Sequence, residues 1–205
     1  MIASHIHDAL SQVQRLQTLI LEKRQFRGYS GTARMVSGSV TLMGSMWMSS
    51  ASFPKTDGAH LLGWLVILSV ALALNYGALA LWYIQLPDDE RRSVRVRPVF
   101  DAFPALLTGG ILSAALILRG YPDLLFGIWM CCYGLAHTSC RRDLPQGNWV
   151  LGIYYVFCGA FFMLWQGASF LNPWPMGVVF MVGELIGGII FHRHKYADLE
   201  DDDEG

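Results

Sequence analysis

The sequence predicts an all-α membrane protein, a polytopic bundle of six transmembrane helices in three hairpins that an N-terminal amphipathic helix precedes. Three observations predict this fold class. Of the 205 residues, 53% are hydrophobic and 15% are charged, whereas soluble domains carry about 25% charged residues. The apolar residues collect in six long runs. The lysines and arginines fall mainly in alternate segments between these runs, as they do in chains that cross a bilayer repeatedly.

The six apolar runs have lengths that match a bilayer. A helix crosses the hydrocarbon core with about 17–25 residues, a length that five of the runs meet and the fourth falls short of. The predicted spans are about Met35–Phe53, Leu61–Ile84, Ala102–Leu118, Leu124–Ser139, Val150–Phe170 and Trp174–Phe191. Because lipid offers backbone groups no partners, each run is expected to be helical. None alternates apolar and polar residues as the strand of a membrane barrel does.

The charge of the connecting segments predicts the orientation of the chain. With six crossings, 13 of the 15 lysines and arginines fall on one side, and only Lys55 and Arg119 fall on the other. Arg34 is counted with the 13, as a cation that flanks the first span. Because cytoplasmic segments are the cationic ones, both termini are predicted to be cytoplasmic.

Residues 1–31 are predicted to form an amphipathic helix and a hinge rather than a span. Apolar residues recur there at helical spacing on one face, which includes Ile6, Val13, Leu16 and Ile20. This face is expected to lie on the membrane surface or on a protein partner. The chain then divides into the surface helix and hinge of 1–31, a transmembrane domain of 32–196 and an acidic cytoplasmic tail of 197–205.

Glu184 is the most informative polar residue in the sequence. It lies near the middle of the sixth span, where a carboxylate costs at least about 2.5 kcal/mol and therefore faces the bundle interior. Gly183, Gly187 and Gly188 beside it permit close approach of another helix. Two interpretations stay open: a site for a proton, cation or ligand, or a structural carboxyl bonded to a neighbouring helix.

Three further polar residues lie toward the cytoplasmic half of the predicted spans. They are Asn75 in the second span, His137 in the fourth and His192 at the end of the sixth. Together with Glu184 they would form a binding site open to the cytoplasm, with His192 at its mouth. The interpretation favoured here is separate interhelical hydrogen bonds.

No catalytic, metal or cofactor motif is recognised in the sequence. Neither H-E-x-x-H nor G-x-x-x-x-G-K-[ST] occurs. The sequence therefore predicts no enzyme, no metal site and no cofactor. A haem with a single histidine ligand, or a pigment among the tryptophans, is the alternative left open.

Three short motifs give the chain a family resemblance. The amphipathic helix leads into Phe26–Gly31, a Tyr-Gly-Leu-Ala step occupies Tyr133–Ala136, and Phe191–Tyr196 follows the glycine-rich last helix. In this order the motifs resemble an uncharacterised family of small bacterial six-helix membrane proteins. The resemblance implies a location in the bacterial inner membrane, and it implies no catalytic residue.

The sequence favours a non-enzymatic membrane subunit or regulatory partner. Such a protein would contact a protein partner, or a second copy of itself, through the N-terminal helix or through small-residue helix faces. The alternative function is a small transporter or proton-coupled channel centred on Glu184. The lipid bilayer is the predicted environment, and no nucleic-acid partner is predicted.

Overall fold

A computed structural model describes Gln12 and residues 28–86, 97–141, 144–145 and 147–203, with the side chains of 97–99 and 194–203 excepted. Across these residues all regular secondary structure is helical. The predicted N-terminal surface helix, with Ile6, Val13, Leu16 and Ile20, lies outside the described residues.

Six α-helices and one 3-10 turn make up the described secondary structure. The helices are α1 (Gly31–Ser49), α2 (Asp57–Gln85), α3 (Arg97–Leu118), α4 (Leu125–Ser139), α5 (Gly147–Leu164) and α6 (Trp174–Asp203), and the 3-10 turn Pro122–Leu124 leads into α4. Each of the six predicted apolar runs overlaps one helix.

Four helices of the described chain are long and apolar enough to cross a bilayer. These segments are Asp57–Gln85, Phe100–Leu118, Gly147–Leu164 and Trp174–Arg193. They indicate a membrane protein with an all-helical fold. The two remaining helices, α1 and α4, fall below that standard of length and hydropathy.

Helix α1 is less apolar because its buried face carries hydroxyl groups. Ser37, Thr41 and Ser45 are buried, and each hydroxyl donates to the backbone carbonyl four residues earlier at 2.8 Å. Side chains that bond to their own helix in this way satisfy their polar atoms without a partner helix. The low mean hydropathy of α1 therefore comes from the hydroxyl residues on the face that packs inside the bundle. Helix α4 is apolar but has only 15 residues.

Two helix boundaries differ clearly from the sequence predictions. Helix α5 ends at Leu164, not near Phe170. Phe170 lies in the following loop, where it is buried and its backbone N–H donates to the Asp123 carboxylate at 2.7 Å. An apolar residue that fills the core from a loop looks in sequence like the end of a span. Helix α6 continues beyond Phe191 to Asp203 and takes in most of the predicted acidic tail.

Two glycine-lined seams bring pairs of helices into backbone contact. In the α1–α6 seam, a Cβ atom on Gly31 would lie 2.5 Å from the carbonyl oxygen of Gly188. In the α4–α5 seam, a Cβ atom on Gly134 would lie 2.5 Å from the carbonyl oxygen of Gly152. Small residues allow this approach, which lets membrane helices gain dispersion contacts along their length.

Helices α2 and α3 lie at the periphery of this arrangement. Helix α2 packs on α1, with Gly63 against the Met48 side chain. Helix α3 packs on α4, where the Trp129 indole N–H donates to the Ser113 hydroxyl at 2.7 Å. Most side chains of Phe100–Leu118 in α3 face outward. The core of the bundle is therefore built mainly from α1, α4, α5 and α6, and α2 contributes His60, Gly63 and Trp64 near its first residues.

Candidate functional site

A buried ion pair stands at the centre of the bundle. Only 5% of Arg34 and 4% of Glu184 is exposed. The Arg34 Nε atom donates to Glu184 Oε2 at 2.8 Å, and Nη2 donates to Oε1 at 3.1 Å. This two-pronged geometry is the strong form of the arginine–carboxylate interaction. The pair joins α1 to α6 across 150 residues of sequence.

Glycines on both helices make room for the ion pair. A Cβ atom on Gly38 would lie 2.8 Å from the Glu184 Cβ atom, and a Cβ atom on Gly187 would lie 2.5 Å from Arg34 Cζ. Larger residues at these positions would separate α1 from α6 or displace the guanidinium group. Gly183 similarly leaves space for the hydroxyl of Tyr155.

Two tyrosines complete the shell around the carboxylate. The Tyr133 hydroxyl of α4 donates to Glu184 Oε1 at 2.7 Å, and the Tyr155 hydroxyl of α5 donates to the same oxygen at 3.0 Å. The carboxylate thus accepts four hydrogen bonds, two from arginine and two from tyrosine. Each hydrogen bond to an ionised group favours the charge over its neutral form. The carboxylate connects all four core helices.

His137 and Asn148 bond to further N–H groups of the guanidinium group. Arg34 Nη2 lies 2.9 Å from His137 Nε2, and His137 Nδ1 lies 3.0 Å from the Tyr133 carbonyl oxygen. Arginine only donates and a carbonyl only accepts, so Nδ1 carries the proton and His137 is neutral. Asn148 accepts from Arg34 Nη1 at 3.2 Å and donates to the His137 carbonyl at 3.3 Å.

Aromatic rings cover the network at the end where α1 begins. The Arg34 Cζ atom lies 5.4 Å from the centroid of the Phe191 ring, within the range of a cation–π contact. Tyr29, just before α1, packs edge-on against Phe191 at 6.1 Å between centroids. Burial raises the pKa of the Tyr29 phenol above its ordinary value, so this ring stays neutral across the physiological pH range.

The structure brings two of the four predicted polar residues together. His137 and Glu184 both bond to Nη2 of the Arg34 guanidinium group. Asn75 lies elsewhere and donates to the Ser37 hydroxyl at 2.8 Å, in a separate contact between α2 and α1. His192 is exposed on α6, eight residues beyond Glu184.

Arg34 is a residue of this site that the sequence prediction does not include. The charge distribution groups it with the cations that flank spans on one side, and the structure buries it against Glu184. A carboxylate inside a membrane demands a partner, and Arg34 directly adjoins the first apolar run, so the sequence offers Arg34 as one candidate partner without singling it out. It offers no signal for Tyr133, Tyr155 and Asn148, because nothing local distinguishes them from other residues in or beside spans.

The assembled group is an electrically balanced unit that holds helices together. One cation and one anion compensate each other, and neutral His137, Asn148 and the tyrosines complete their hydrogen bonds. Among the described side chains, no three histidines, cysteines or acids gather as a metal site requires. The carboxylate is buried, and each of its oxygens accepts at least one hydrogen bond from the bundle.

Comparisons with protein-family models, curated proteins and solved structures found no match for this chain. The family resemblance drawn from three short motifs therefore stays a prediction. The functional interpretation therefore rests on the geometry of the site.

A second polar feature lies at the opposite end of α2 from Asn75. His60 is completely buried, and neither ring nitrogen has a hydrogen-bond partner among the described residues. The Trp64 indole nitrogen, one turn further on, is likewise unpaired within that set. Aromatic rings surround the imidazole, with Phe53 at 5.1 Å and Phe170 at 6.3 Å between centroids. Such unpaired buried groups cost about 1–3 kcal/mol each.

We expect strong coupling between Arg34 and Glu184 in a double-mutant cycle. The substitution Arg34→Met leaves a buried carboxylate without its cation, so it should cost about 3–5 kcal/mol. The substitution Glu184→Gln should also destabilise the fold, because the guanidinium then loses its counter-charge. The double variant removes both charges and keeps an acceptor for the tyrosines, so it should recover about 1–3 kcal/mol of the summed losses. Unfolding by sodium dodecyl sulphate in mixed micelles measures these values.

Arg119→Gln is the matched control for this cycle, because Arg119 is exposed at a loop. It should change the free energy of unfolding by less than about 0.5 kcal/mol. Additive losses in the double variant would contradict the ion pair.

We expect His60→Leu to leave stability unchanged or to raise it. The imidazole contributes unpaired polar atoms to an apolar setting, and leucine fills similar space without them. The thermal midpoint in detergent should therefore hold or rise, in contrast to Arg34→Met. A fall equivalent to more than about 2 kcal/mol would mean that His60 makes hydrogen bonds in the folded protein.

Proposed function

We propose that this chain is a non-enzymatic subunit of a membrane complex that acts through contact with another protein or with a second copy of itself. The observation that carries this proposal is the saturated state of Glu184. Glu184 is the one carboxylate within the apolar segment of α6. Two hydrogen bonds from Arg34 and two from tyrosines link it to three other helices. Because these polar groups bond to one another across helices, they support a structural role for Glu184.

The alternative function, transport coupled to a proton or cation, requires Glu184 to exchange its partner. A proton on Glu184 would leave the buried guanidinium of Arg34 without a counter-charge, which costs several kcal/mol. The two tyrosine hydroxyls would also lose a charged acceptor. The protonated form of Glu184 is therefore disfavoured, and this supports the architectural role over the transport alternative.

Helix α3 offers the surface best suited to a protein contact. Its side chains are almost entirely outward-facing, and Phe103 and Ile111 are 59% and 62% exposed. A Cβ atom on Gly110 would meet nothing within 4 Å, and the exposed Ala114 follows one turn later. Small residues one turn apart let a second helix approach closely. The amphipathic N-terminal helix predicted by the sequence is the second candidate contact.

We further propose that all six helices cross the membrane as three hairpins, with both termini in the cytoplasm of a bacterium. The cation distribution supports this topology even after Arg34 is removed from the surface residues, since twelve cations then oppose Lys55 and Arg119. Helix α1 buries its polar face, so its remaining sides suit lipid. Helix α4 spans about 22 Å, and a thinner local bilayer accommodates a short helix at modest cost.

Reporter fusions test the topology. A fluorescent protein that folds only in the cytoplasm should be bright when joined after Gly205. Alkaline phosphatase, which is active only outside, should be active when joined after Lys55 or after Arg119. The matched control at each position is the other reporter, which should be inactive there. Phosphatase activity at Gly205 would overturn the cytoplasmic placement of the C-terminus, and inactivity at Arg119 would overturn the six-span count.

Photo-crosslinking in native membranes tests the function. A benzophenone amino acid at Phe103 or Ile111 on α3, or at Leu16 in the N-terminal helix, should give a protein adduct of one defined mass. Leu62 and Leu65 on α2 are 63% and 51% exposed and serve as controls of similar exposure, which should react with lipid. Adducts identify the partner directly by mass spectrometry.

Two results would overturn the proposed function. One is the absence of protein adducts at every tested position, together with a lone monomer in mild detergent. The other is a proton or cation flux into liposomes that the wild-type chain supports and Glu184→Gln abolishes. The Arg119→Gln variant controls for unspecific loss of flux.

A further inference from the structure

A narrow apolar groove lies between α1 and α2 on the outside of the bundle. Its volume is about 320 Å³, and its lining includes Val40, Met43, Trp47, Gly63, Val66 and Val70. Met43, Trp47 and Val66 are each more than half exposed, so the groove opens toward the surroundings of α2, a helix apolar enough to cross a bilayer. From Val40 to Trp47 it follows α1 for about 10 Å. The shape suits one extended hydrocarbon chain.

A cation stands at one end of this groove. Lys55, in the turn between α1 and α2, donates from Nζ to the backbone oxygen of Met48 at 2.9 Å, and Met48 lines the groove. An ammonium group has three N–H bonds, and the Lys55 residue is exposed. Trp47, on the same rim, is 64% exposed, as suits a tryptophan at the boundary between hydrocarbon and headgroups.

We propose that the groove is a binding site for one anionic phospholipid, with an acyl chain along α1 and α2 and the phosphate on Lys55. The apolar lining selects a hydrocarbon chain, while the single cation at its end selects a negative headgroup. A second protein helix would cover Lys55 without offering it a phosphate, and this charge complementarity is why a lipid is the occupant. The site rests on the proposed topology, because α1 and α2 must both lie in a bilayer, and it is independent of the proposed subunit role.

Two variants separate the headgroup contact from the chain contact. Lys55→Gln removes the cation, and Val70→Trp fills the groove from a position that is 39% exposed. The matched controls are Arg119→Gln, the other cation of the short connecting segments, and Leu118→Trp, a position that is 87% exposed and is not among the residues lining the groove. Native mass spectrometry of the full chain, released from mixed micelles, counts retained phosphatidylglycerol against phosphatidylcholine.

The wild-type chain should retain one phosphatidylglycerol per monomer, with about five-fold preference over phosphatidylcholine, as one lysine–headgroup contact provides. Lys55→Gln should abolish the preference, and Val70→Trp should abolish retention of both lipids. Both controls should behave as the wild type does.

Three results would overturn the lipid site: no preference in the wild type, an equal loss in Arg119→Gln, or a second copy of the chain in place of the lipid. Thermal midpoints of all variants, measured in the same detergent, distinguish a lost site from an unfolded protein. Failure here leaves the proposed subunit function untouched, since the cross-links on α3 concern a different surface.

Discussion

The ion pair between Arg34 and Glu184 is the interaction on which the core depends. Moving two charges out of water costs several kcal/mol per ion, and only close pairing with further hydrogen bonds compensates that cost. The structure supplies those bonds from Tyr133 and Tyr155 on two other helices. The charge of one residue therefore dictates where four helices must lie, which an apolar interface of the same area would not do.

Glycine seams make this polar network possible. Hydrophobic attraction between helices is weak inside lipid, so packing depends on close backbone approach. Gly31 against Gly188 and Gly134 against Gly152 provide that approach in two antiparallel pairs. The same pairing leaves most of α2 and α3 outside the core, with apolar faces available to lipid or to a partner. The exposed faces of α2 and α3, outside the hydrogen-bonded core, are therefore the candidate functional surfaces.

Buried His60 and half-buried His137 show how differently the fold treats similar side chains. His137 has both ring nitrogens bonded, and its neighbours determine which nitrogen carries the proton. His60 lies among aromatic rings without a described partner for either nitrogen. The imidazole of His137 contributes to a hydrogen-bond network. The imidazole of His60 lowers the stability of the fold, and the surrounding packing must offset that loss. Residue type alone does not distinguish these situations.

The sequence by itself determined the helical class, the six apolar segments and the placement of Glu184 in the interior, because lipid penalises unpaired backbone and charge wherever they occur. The tertiary structure decided the partner of Glu184, the tyrosines that complete its shell and the separation of Asn75 from it. It also decided that Phe170 fills the core from a loop. These outcomes depend on which helices pair, and pairing arises from contacts between residues 29 to 150 positions apart, which local pattern does not encode.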